Sequence, residues 1–377
     1  MDVSLEGIVN WFSASSSESY HFVTSLHGHD GPINTFAFNL GGSLLASGDV
    51  MYNAVAYLTY TGDDETVHIW DLKTFRALQI LSDRHSRWGQ ITVLKFISFD
   101  GNPNSMSNEW LFIGTGRGHF MAYRRTRRSA SHTNNALYAN PEGSFSRSFT
   151  NLESFSYDSH FGRIAFTSHY GRIKVYHLEK ESANLVELWH HELIETIPRA
   201  VFFTDRGDSL LVYAMENGTM FDSNSTHRLG YDSETSAEKY VKSLKTAIGN
   251  VDVCSSTGHV VVDNMFNGFD LYSPDRTSPI HTFEVESTTG FVKAAVFGEG
   301  GRIVGTGSDH GKVYLFDTSR KLCLQVLRHG HRNQNIQTVA TKTTKTAHLL
   351  VSGASSEKFD IVVWKKVQSP LVSNRRG

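Results

Sequence analysis

Histidine supplies the first candidate chemistry. The 377-residue chain has 19 histidines, and two pairs, His27/His29 and His329/His331, stand two residues apart. On a strand that spacing turns both rings to one face, where they could bind a metal. The run His191-Glu192-Leu193-Ile194-Glu195 opens like a zinc-protease helix, but Glu195 stands where the second histidine is needed, and the run lies in strand and loop territory before Pro198. Gly114, Gly116 and Gly118 could cradle a phosphate only if a helix followed. The strand-like HFMAY follows instead, so they read as a hairpin turn. Arg124, Arg125, Arg127 and Arg128 could form a nuclear-import or nucleic-acid patch, or simply a solvated charge run. No aromatic is interleaved with them, and 36 basic residues face 38 acidic ones for a net charge of -2. No G-x-S-x-G elbow marks a nucleophile. We therefore assign no catalytic, cofactor-binding or metal-binding residue.

The elements that must position these residues are short strands in a repeat. Aromatic anchors end strands at Trp70, Tyr123, Tyr176, Phe221, Tyr272, Phe316 and Trp364, with separations of 53, 53, 45, 51, 44 and 48 residues. Each anchor is preceded by a turn and an alternating strand, with a further strand before those. Outer strands such as ALQIL and CLQVL give seven four-stranded sheets. Such sheets bury a face only against neighbours, so a radial ring is expected. Residues 20–26 have strand character and no sheet of their own; they are expected to pair with residues 361–367 and tie the chain ends together. Residues 233–245 could form one helix or a polar loop, and insertions at 49–60, 100–108 and 124–148 read as surface loops or a hairpin extension.

Gly28-His29, followed by Asp64 and by Trp70-Asp71, resembles a WD40 repeat. The sixth and last units carry fair copies, whereas units two to five lack the Gly-His pair and have Tyr or Phe for Trp. The resemblance covers roughly residues 20–367 and implies an all-β, seven-bladed propeller whose usual activity is binding. It also implies that His29, Asp64, Trp70 and a Ser or Thr near Gly62 staple one blade, and that Gly-His motifs account for both histidine pairs without metal.

Domain boundaries follow: an arm at 1–19, the propeller at 20–367 and a tail at 368–377. Cys254 and Cys323 are the only cysteines, which suits a reducing compartment. The N-terminus lacks secretory-leader features, and no apolar run is long enough for a membrane span. The expected location is cytoplasmic, with the nucleus as a second compartment. The second residue of each inner strand should line the channel: Asn34, Thr92, Glu153, Arg199, Asn250, Lys293 and Gln337. Trp88, Phe291 and Tyr170 are expected as exposed aromatics at one rim. These residues, without Asn250, form the candidate partner-binding set. The expected function is a non-catalytic scaffold for a protein or peptide, without cofactor, membrane or nucleic acid, monomeric by itself or within a complex. A small-ligand or carbohydrate-binding propeller is the alternative, and an enzyme on a propeller scaffold the less favoured one.

Overall fold

The computed structural model describes residues 18–49, 65–83, 88–102, 108–126, 137–139, 146–148, 151–216, 226–288, 290–356 and 358–368. Runs such as Leu44–Asp49 and Glu109–Thr115 are buried along their whole length. They form the second strands of blades 1 and 2, covered on both faces. Outer strands such as Leu185–Glu192 alternate towards solvent.

The strands build seven antiparallel sheets. The inner strands, in chain order, are Ile33–Phe38, Ile91–Ser98, Leu152–Asp158, Thr196–Thr204, Val251–Val253, Ala295–Gly298 and Ile336–Thr343. Each blade then runs outward. In blade 2 the outer strand is split into Tyr138–Ala139 and Ser146–Ser148, both paired with His119–Arg125. One apolar cluster fills the space between each pair of neighbouring blades, giving seven in all, and the seventh joins blade 7 to blade 1.

The ring closes through the N-terminal strand, as expected. His21–Leu26 pairs antiparallel with Ile361–Val367, from His21 opposite Lys365 to Leu26 opposite Ile361. Tyr20, just before this strand, is locked from outside. Gln325 on the outer strand of blade 6 accepts the Tyr20 N–H at 2.9 Å and donates to its carbonyl at 2.8 Å. The same device recurs at Tyr138, clamped by Gln79 on the outer strand of blade 1 at 2.7 and 2.8 Å. Both glutamines stand in a Leu-Gln-(Ile/Val)-Leu run, at 78–81 and 324–327. Both tyrosine hydroxyls meet a buried carboxylate, Glu299 for Tyr20 and Glu109 for Tyr138. Burial, then the adjacent carboxylate, drives both phenol pKa values far up. Lys366 and Arg302 neutralise Glu299, and Arg125 neutralises Glu109.

Three expectations change. The stretch considered as a helix, 233–245, contains the outer strand Glu238–Ser243, paired with Thr226–Asp232. An open sheet edge offers this polar segment a backbone partner that its weak helical pattern cannot outweigh. Phe221 lies outside the described residues; the third strand of blade 4 is Thr226–Asp232, and Tyr231 ends it where Trp70 ends its counterpart. The insertion 124–148 is not all surface loop, because Leu137 and Tyr138 are buried core residues.

The clamp generates a direct test. Gln325→Ala leaves two polar backbone groups of the buried Tyr20 without their partner, a cost of about 1–3 kcal/mol for each group left unsatisfied. Thermal unfolding should begin several degrees lower, with a similar fall for Gln79→Ala. Unchanged midpoints in both variants would show that the clamps do not hold the blades.

Candidate interaction face

Every inner strand starts at the face that carries the hairpins between second and third strands and the links between blades. The expected channel residues stand there, and a backbone irregularity aims five of them. The inner strands of blades 1, 2, 3, 4 and 7 carry a one-residue register shift at Asn34, Thr92, Glu153, Arg199 and Gln337. A bulge of this kind turns an extra side chain out of the pleat.

Most of these side chains are committed within the ring. Glu153 holds His169 Nδ1 through Oε1 and Arg199 Nη1 through Oε2, both at 2.8 Å. Arg199 also donates to the Gly249 carbonyl at 3.3 Å. Asn34 donates to the Ile91 carbonyl of the next blade at 2.8 Å, and Asn250 accepts the Ala295 N–H at 3.1 Å. Lys293 is buried, and its ammonium donates to Ser287 Oγ and the Phe291 carbonyl, each at 2.9 Å. Thr92 Oγ1 is buried without a hydrogen-bond partner among the described residues. Gln337 is half-buried, and its backbone carbonyl accepts the Ala294 N–H at 2.8 Å.

Deeper in the ring, burial pushes the Asp252 carboxyl up to about 6, against hydrogen bonds from Phe297 and Val253. Burial likewise lowers the Lys95 ammonium, an effect that the Asp252 charge opposes. Asp263, whose Oδ2 accepts the Lys293 N–H at 2.8 Å, is also raised by burial to about 6.

The rim aromatics divide. Tyr170 and Phe291 are exposed, but Trp88 is buried between blades 1 and 2, edge-on to Tyr123 at 6.5 Å. It fills the interblade core rather than the rim. Two exposed residues escaped the sequence reading, Ile194 and Phe266, on turns of the same face. Ile194 follows Leu193, whose carbonyl lies 2.2 Å from where a Cβ on Gly171 would sit. Gly171 has φ 77, so only glycine fits there, and that close approach brings the Tyr170 turn beside the Ile194 link.

The histidine pairs hold blades together. In blade 1, Trp70 Nε1 donates to Ser47 Oγ at 2.8 Å, Ser47 meets His29 Nε2 at 2.6 Å, and His29 Nδ1 meets Asp49 at 3.2 Å. The described hydroxyl and acid of this network are Ser47 and Asp49, on the strand before the insertion. Asp64 and Gly62 lie outside the described residues. In blade 7, Trp364 Nε1 donates to Ser352 Oγ at 3.2 Å, and Ser352 meets His329 Nδ1 at 2.7 Å. Here the first histidine of the pair enters the network, and His331 stays exposed. Among the described residues no cluster of three or more His, Cys, Asp or Glu side chains is placed to hold a metal.

Residues 20–71 match the family model described as WD domain, G-beta repeat. That match falls on the blade with the complete Trp-Ser-His-Asp network, within a closed ring of seven four-stranded blades. The chain is a seven-bladed β-propeller with a WD40 repeat in its first blade. No curated protein matches it. WD40 propellers commonly serve as protein-interaction scaffolds, and in this one the ring residues are drawn into the scaffold while the turns above them stay open.

Burial lowers His329 from 6.5 to about 4, so this histidine is neutral in the fold where the unfolded chain would be protonated. Its folded pKa is the depressed one, so the stability it confers is complete above pH ~6.5 and is lost as pH falls towards 4, by about 1.4 kcal/mol per pH unit. Asp252 and Asp263 slope the opposite way but cancel when wild type is compared with a variant. The stability advantage of wild type over His329→Gln, from urea unfolding, should shrink between pH 7 and pH 5. An advantage independent of pH would contradict this account of His329.

Proposed function

We propose that this WD40 propeller is a non-catalytic interaction platform, and that it docks a protein or peptide segment on the face bearing the interblade links, beside the channel mouth. One observation supports this most: large apolar side chains stand out from the turns of that face. Ile194 is 87% exposed, Phe266 85%, Tyr170 64% and Phe291 54%. Aromatic side chains in such positions are the usual energetic centres of protein interfaces. The opposite face also has exposed apolar residues, including Leu40 and Phe161, but its turn residues are less exposed.

In this reading the polar ring is the rigid floor, and the partner contacts move outward from Asn34, Arg199 and Lys293 to the turns. Thr92, Glu153 and Gln337 border the contact surface. The fold common to interaction scaffolds supports the absence of catalysis, and two unpaired cysteines, Cys254 and Cys323, suit a reducing cytoplasmic or nuclear setting.

Affinity capture with quantitative mass spectrometry tests the face. The pairs Phe266→Asp with Phe291→Asp, and Tyr170→Asp with Ile194→Asp, should each reduce recovery of wild-type partners about tenfold or more, as expected for loss of hot-spot side chains. Phe161→Asp on the opposite face should leave recovery unchanged. Loss only with Phe161→Asp would place the interface on the other side.

A further inference from the structure

A cavity of about 730 Å³ opens on the same face at blade 6, within the size range of ligand sites. Three segments wall it: Glu286 and Thr288 on the link into blade 6, residues 309–314 on its second hairpin, and residues 328–335 on the link to blade 7. Its floor is a built polar array. Asp309 is buried, and its Oδ2 accepts the Thr288 N–H at 2.6 Å and hydroxyl at 3.1 Å. Its Oδ1 faces His310 Nδ1 at 3.0 Å, and His310 Nε2 faces the Tyr314 hydroxyl at 2.6 Å. The Asp309 carboxylate is thereby turned into the wall.

The cavity is faced by three cations, Lys312, Arg328 and Arg332. None of them has a carboxylate within salt-bridge distance among the described residues. Glu286 is the one other acid in the lining, and Asn333 and Asn335 add amides. Two guanidinium forks and an ammonium suit a tetrahedral dianion better than a single carboxylate.

We propose that this cavity receives a phosphorylated serine or threonine side chain of the docked peptide. The inference rests on the proposed docking face and specifies its chemistry. Phe291 is tied to the cavity wall, because Lys293 Nζ donates to the Phe291 carbonyl and to Ser287 Oγ, each at 2.9 Å, and Ser287 Oγ donates to Asp309 Oδ2 at 3.4 Å. The exposed ring thus offers an apolar contact near the cavity for a flanking residue. A nucleotide fits less well. The two aromatic rings in the lining, Tyr314 and His310, are hydrogen-bonded to each other and edge-on at 5.6 Å, and Tyr314 is also stacked on Phe316 at an interplanar angle of 8°, so neither is presented as a free platform for a base.

The test uses the full chain and two degenerate peptide pools that differ only in a fixed central phosphoserine or serine. The phosphorylated pool should bind about tenfold or more tighter, the scale of charge-assisted hydrogen bonds. Arg328→Ala and Arg332→Ala should each abolish most of that preference, with thermal unfolding unchanged because both side chains lie at the exposed rim. Arg332→Lys should retain part of it. Phe291→Ala should weaken both pools alike. Equal binding of the two pools would overturn the phosphate assignment while leaving the docking face standing if Phe291→Ala still weakens them. Binding of phosphoinositide vesicles, with no preference between the pools, would also overturn it. Failure of both pools and of the Phe291→Ala effect would instead remove the docking face.

Discussion

The ring depends on one pairing, the antiparallel ladder between His21–Leu26 and Ile361–Val367. A four-stranded blade buries its faces only between two neighbours, so six complete blades and a three-stranded seventh would leave an open edge and two half-covered cores. The N-terminal strand removes both defects. Leu26 joins the cluster shared by blades 7 and 1, and Tyr20 the one shared by blades 6 and 7. The join spans nearly the whole chain, but closure entropy grows only logarithmically with loop length, and the contacts made on both sides outweigh it.

The polar networks reinforce the same seam. Blades 1 and 7, which meet there, are the two in which, among the described residues, a tryptophan, a serine and a histidine are linked. Blades 2 to 6 end their third strands in Tyr or Phe, and their polar networks are built from other residues, such as Tyr138 with Glu109 in blade 2 and Asp309 with His310 in blade 6. A satisfied buried network orders its surroundings and is costly when one member is lost. Placing two of them at the point of closure ties the position of the join to specific geometry as well as to apolar area.

Periodicity made the architecture legible. Alternating apolar runs and glycine-bearing turns gave the blade count, the inner strands and the N-to-C pairing without reference to any partner. What escaped was set by contacts between residues distant in sequence. Ser47 and Asp49 were hidden because the insertion after them invited a search nearer Gly62 and Asp64. Nothing local to Gln79 or Gln325 says that each clamps a tyrosine in the next blade. Tyr231 was missed as the anchor of blade 4 because Phe221 ends a plausible run ten residues earlier. At the candidate face, the places of Asn34, Glu153 and Arg199 on inner strands were readable, but their commitment to neighbouring blades was not. Trp88 looked like a rim residue from its place in a link, and it packs instead into the core between blades 1 and 2.

A scaffold whose ring residues are bonded to one another can present its turns rigidly, which lowers the ordering cost of binding. That rigidity requires that the join not open on its own. Native-state hydrogen exchange of the amides in His21–Leu26 measures this directly. If the closing strand is integral, its paired amides exchange only with global unfolding, at the same free energy as those of the buried strand Leu44–Asp49. Exchange at a clearly lower free energy, with the remaining blades still protected, would show that the ring stands without the join and would contradict the account.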